Sequence, residues 1–153
     1  MINFAGLNGG GHSGYHELRR QAAVWPKTTV TPDAPAELLS TSRDCYVQGY
    51  YAYALFAVGG TWSIMAVEAA LRLRLGADRK VQFSSLVKAA EREGYLPERG
   101  WDDGRLDAGR QLRNAVVHGG QQQLWTPAMA REIIAASHEA IAALFPDEVE
   151  SSS

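Results

Sequence analysis

A single cysteine, Cys45, stands in 153 residues. That excludes an internal disulfide and any thiolate zinc site built within one chain. No histidine motif surrounds Cys45, so it reads as a small buried apolar residue rather than a nucleophile. Histidine is scarce too, at four. His12 and His16 lie close together but have no third ligand near them in sequence. The expectation is no metal and no cofactor. The stretch Gly9-Gly10-Gly11-His12-Ser13-Gly14 has the glycines of a phosphate cradle. It lacks the closing Lys-Ser/Thr and any strand before it, so it reads as a flexible arm. An excess of either charge is also missing: the formal net charge is -2. A protein that lives on nucleic-acid backbone draws on a large surplus of Lys and Arg. An enzyme that touches a few nucleotides with a few arginines is not excluded. The first eleven residues have neither the basic start nor the apolar core of a secretory signal, so cytoplasmic residence is the expectation.

No charged residue occurs from Cys45 to Val67, a stretch long enough to cross a bilayer. Gln48, Gly49, Gly59, Gly60, Thr61 and Ser63 dilute it, and alanine and tyrosine outnumber leucine and isoleucine. The expectation is no membrane span, but two helices or one bent helix at the centre of a bundle.

What is present is helical periodicity with capping signals. Residues 1–34 read as an irregular arm, with Gly9, Gly10, Gly11 and Gly14 followed by Pro26 and Pro32. Residues 35–146 read as one all-α domain, an antiparallel bundle of four to five helices, and 147–153 as a polar tail. A first helix is expected over about 36–58, with Asp33 as cap. Gly59-Gly60 then permits a break, and Thr61 caps a second helix over 62–75, closed by Gly76. This second helix is apolar on most of its circumference, with Trp62, Met65 and Ala69 on one stripe and Ile64, Leu71 and Leu75 on another. A third helix fits 84–93, with Ser84 as cap and Gly94 as stop. A fourth runs over about 105–118 to Gly119-Gly120. The fifth is capped by Thr126, has Pro127 at its first position, and ends at Pro146.

The fourth helix carries the chemistry. Leu106, Gly109, Leu112, Val116 and Val117 mark its inward face, and Arg113 falls inside that arc. A guanidinium stays charged and is very costly to bury alone, so Arg113 needs an acid, a wet cleft or an anionic ligand. Glu68, equally odd on the apolar second helix, is the expected partner. A structural ion pair would by itself explain both residues. Asn114 and His118 lie four apart, on one face. Arginine suits a phosphorane's doubled charge, and histidine suits proton transfer to and from ribose or leaving oxygens. Arg110 could touch phosphate, and Trp101 and Trp125 flank the helix where a base could stack. For these three, a solvated face balanced by Asp102, Asp103 and Asp107, or aromatic clamps on the helix, are the competing roles.

Leu112-Arg113-Asn114-Ala115-Val116-Val117-His118-Gly119 resembles the signature of HEPN domains: Arg, a polar residue, three more residues, then His, at a helix end. Tyr50 to Leu75, with Glu68-Ala69-Ala70-Leu71, is similar to the long central helix region of such domains. Phe83 to Leu96 and the helix from Thr126 to Phe145 follow in the expected order. The resemblance covers roughly Pro35 to Pro146. It implies a metal-independent endoribonuclease acting on RNA as a homodimer, with two motifs facing one composite cleft. Carried over by position, Arg113 and His118 are the catalytic pair, Asn114 is the polar residue and Glu68 is the partner of Arg113. Relatives act in toxin–antitoxin modules, phage defence or RNA processing, which would add an antitoxin or other protein partner. Others have lost catalysis and serve as binding or dimerisation modules. Both readings, nuclease and module, stay open from the sequence.

Overall fold

The computed structural model describes residues 13–97, 105–119 and 125–148. Gly9, Gly10, Gly11, His12, Trp101, Asp102, Asp103, Gly120 and the end of the polar tail lie outside the described residues, as do the side chains of Leu106, Asp107, Val116 and Val117. Among the described residues there are six helices and no strand: α1 (Ser13–Ala23), α2 (Asp33–Gln48), α3 (Ala54–Leu75), α4 (Phe83–Arg92), α5 (Arg105–Gly119) and α6 (Pro127–Leu144). Helix α3 is the hub and packs on α2, α4, α5 and α6. Its Phe56, Ile64, Val67 and Leu71 are fully buried with Tyr46 of α2, Leu86 of α4 and Ile134, Ile141 and Leu144 of α6. Among the described residues α3 is the one helix long and apolar enough to cross a membrane. Most of its apolar stretch is buried against the other helices, as befits the central helix of a bundle.

Two expectations need correction. Residues 13–23 are helical, not part of an irregular arm. Tyr15, Leu18 and Ala22 recur at helical spacing and pack on the core. Gln21 accepts a hydrogen bond from the Tyr46 hydroxyl, which ties α1 to α2. Burial pushes the Tyr46 pKa up to about 12, with Arg131 pulling it down and Glu132 adding to the rise.

The second correction concerns Gly59-Gly60, which does not break the chain. The break falls earlier, at Gly49 to Tyr53, and α3 runs straight through both glycines. They are there for close approach. A Cβ on Gly59 would lie 2.9 Å from the Ser42 carbonyl oxygen, and one on Gly60 would run into the Trp125 ring. The Ser42 hydroxyl donates to the Gly59 carbonyl at the same crossing. Thr61, expected as a cap, is mid-helix and buried. Gly60→Ala should therefore cost about 1–3 kcal/mol by overpacking, although alanine is the better helix former by about 1 kcal/mol. Denaturant unfolding checks this, and a variant as stable as the wild type would contradict the ring contact.

Helix boundaries elsewhere follow the expected signals in part. Gly76 (φ 62°) closes α3 and Gly94 (φ 78°) follows the end of α4, each in the left-handed region. Thr126 caps α6, its Oγ1 accepting from the Met129 amide at 3.2 Å. Asp33 and Ser84 lie inside the first turns of α2 and α4, and neither helix has a side-chain cap. Cys45 is half-buried, and burial, then the nearby Asp44 charge, raises its thiol pKa. That favours the neutral thiol and fits its apolar reading.

Candidate functional site

Helix α5 seats closely on the bundle. Gly109 is buried, and a Cβ there would lie 2.6 Å from Ile64 Cδ1 and 2.7 Å from Ile133 Cγ2. One turn further on, Leu112 packs on the core. The same seating carries Arg113 to the side of α3. Arg113 Nη1 lies 3.6 Å from Glu68 Oε2. That is an ion pair at contact range, too long for a hydrogen bond.

Glu68 has a second and closer partner. Arg72, one helical turn along α3, places Nη2 2.7 Å from Glu68 Oε1 and donates through Nη1 to the Asp78 carbonyl at 2.6 Å. The side chains of Arg72, Arg113 and Glu68 are 19%, 23% and 24% exposed, so water screens the triad only in part. One carboxylate is shared between two guanidiniums. A unit of positive charge is left over, and the Arg113 Nε is buried without a partner. An anion beside Arg113 would be stabilised by both features.

Beside the triad opens a cleft of about 450 Å³ between α3, the entry to α4 and α5. Arg110 and Asn114 line it from α5, and Arg79, Lys80, Gln82 and Ser84 line it from the other side. Five cationic side chains and one carboxylate border this space. A smaller cavity of about 230 Å³ lies between α2 and α6, walled by Leu39, Ile141, Pro26 and His138. No residue of the Arg113–His118 motif borders it, nor a cavity of about 600 Å³ lined by Tyr15, Arg19, Lys27 and Arg43, whereas Arg113 and Asn114 border the basic cleft.

The sequence-derived candidates thus divide. Glu68, Arg110, Arg113 and Asn114 share the cleft. His118 is exposed near the C-terminal end of α5 and is not among the residues bordering the cleft. It lies about 140° around the helix from Arg113 and about 7.5 Å along it. Trp125 is a correction. It is 0% exposed and packed on Gly60, so it clamps α3 and is not offered to a base. Arg72, Arg79 and Lys80 were missed. Arg72 could have been found from its position four residues after Glu68. Nothing local in the sequence brings Arg79 and Lys80 beside α5.

No family model matches the chain, and neither a curated protein nor a solved structure is significantly similar to it.

Proposed function

We propose that this chain is a metal-independent endoribonuclease of the HEPN type. The observation that carries the reading is the sharing of Glu68 between Arg72 and Arg113, which leaves positive charge beside Asn114 in an open cleft. In this reading His118 takes the proton from a ribose 2′-hydroxyl. The 2′ oxygen attacks phosphorus, the bond to the 5′ oxygen breaks, and the second His118 of a homodimer, whose two motifs face one cleft, protonates the leaving oxygen. Arg113 stabilises the charge that builds on the phosphoryl oxygens.

The angle between Arg113 and His118 on α5 favours a composite site, in which the two come from different copies of a homodimer. Trp62, Met65 and Leu73, large apolar residues exposed on α3, are the surface on which a second copy would seat. Action as a toxin or in phage defence, with an antitoxin or other protein partner, belongs to the same reading. The same exposed residues also favour a second reading, a non-catalytic module that dimerises or holds a protein partner through this surface.

Single-stranded RNA incubated with the protein and EDTA separates the two. The nuclease reading expects fragments ending in 2′,3′-cyclic phosphate, made by a particle of twice the 16.7 kDa chain mass in light scattering. Intact RNA leaves the module.

A further inference from the structure

We infer that Arg79 and Lys80, with the first turn of α4, form a phosphate-binding subsite for a single-stranded RNA backbone, one step along the cleft from Arg113. The inference takes its ligand class from the ribonuclease reading but does not depend on catalysis. Its first support is charge. Arg72 and Arg113 both spend part of their charge on Glu68. Arg79 and Lys80 border the same cleft, and neither side chain is in an ion pair among the described residues; the nearby Asp78 carboxylate accepts instead from the Lys80 backbone amide at 3.3 Å. Two adjacent cations facing an already positive cleft repel one another and their neighbours, and a bound anion relieves that repulsion.

The second support is the backbone. Residues 81–84 border the cleft at the start of α4, and no side chain caps that helix. Its first-turn amides and the positive end of its dipole therefore add to the field that Arg79 and Lys80 create. The third is shape. A space of about 450 Å³, open at the surface, admits a nucleotide phosphate with its sugar. Asn114 and Ser84 supply neutral hydrogen-bonding groups on opposite walls. A strand laid along the cleft would place one phosphate at Arg79 and Lys80 and a neighbouring one at Arg113. The subsite thus holds the strand in register and takes no part in bond breaking.

The test measures binding by fluorescence anisotropy of a labelled twelve-nucleotide oligouridine. It is run in the His118→Ala background so that cleavage does not intrude, over a series of salt concentrations. Adding Arg79→Ala and Lys80→Ala should weaken binding at least about 10-fold at low salt. The slope of log affinity against log salt should fall by roughly 0.7, for the one phosphate that is no longer neutralised. Lys88→Ala, a cation of α4 that does not border the cleft, should change neither quantity. Unchanged affinity and slope in a folded Arg79→Ala/Lys80→Ala protein would overturn the subsite. So would saturation by inorganic phosphate with no binding of the oligonucleotide, which would make this a free-phosphate site. Binding that depends on Arg79 and Lys80, in a wild type that never cuts RNA, would support the subsite and sink the nuclease. Cutting at unchanged KM in the Arg79→Ala/Lys80→Ala protein would do the reverse.

Discussion

Alanine at His118 is expected to slow RNA cleavage by about 10²–10⁴-fold, the usual contribution of a general acid or base, while leaving the protein folded. The fold should survive because His118 is exposed, so truncation opens no cavity and strands no buried group. The loss should appear in kcat, since proton transfer takes place in the transition state and adds little to ground-state binding. Arg113 behaves differently. Its removal takes away charge at phosphorus but also one of the two cations on Glu68, so cleavage and stability should fall together. Arg113→Lys keeps the charge and loses the planar fork, and should recover only part of the rate. Single-turnover cleavage with circular dichroism on the same samples checks these expectations. A folded His118→Ala protein cutting at the wild-type rate would remove His118 from the chemistry.

Acid should destabilise the protein through His138. This residue of α6 is 2% exposed, and its ring lies 5.4 Å from that of Trp25. Its Nδ1 is 3.1 Å from the Pro26 carbonyl. A carbonyl oxygen only accepts, so Nδ1 carries the hydrogen in the neutral ring. Burial holds the His138 pKa down at about 4, the Pro26 hydrogen bond acting the other way and Arg43 adding to the fall. The unfolded chain takes up its proton near the ordinary histidine pKa, and the folded chain does not until about pH 4. The unfolded state therefore binds more protons in that window, and stability falls as pH falls. Between pH 7.5 and 4.5 the loss from this residue should be about 2–3 kcal/mol. His138→Asn removes the titrating ring and can keep a donor to Pro26. Denaturant unfolding of both proteins at the two pH values should show the wild type losing that much more than the variant. Equal losses would mean that the folded ring accepts its proton in the ordinary range.

Local signals carried much of this architecture in the sequence. The Thr126-Pro127 start, the left-handed glycines at 76 and 94, and the apolar faces of α3 and α6 each act within a few residues, and each stands where expected. The two misjudged places were decided over longer distances. Gly59-Gly60 reads as a break until Ser42 and Trp125, 17 and 65 positions away in the chain, are seen against it. Helix α1 has one local sign, Tyr15, Leu18 and Ala22 at helical spacing, but what holds it, its packing on the core and the Tyr46–Gln21 bond, is set elsewhere in the chain. The site followed the same division. Glu68 and Arg113 could be paired because each breaks an apolar face, a property of its own helix. Arg79 and Lys80 lie on an exposed connection, where charge is ordinary, and only the seating of α4 and α5 on the same helix α3 makes them part of a cleft.

If Arg113 and His118 cut RNA through its own 2′-hydroxyl, blocking that oxygen should abolish cleavage. Two oligonucleotides of the same sequence, one all-ribose and one fully 2′-O-methylated, are incubated with the wild-type protein in EDTA and the cleavage rates measured. The ribose strand should be cut to 2′,3′-cyclic phosphate ends and the methylated strand should stay intact, because the attacking oxygen is blocked. Cleavage of both strands at similar rates, or of neither, would contradict that chemistry.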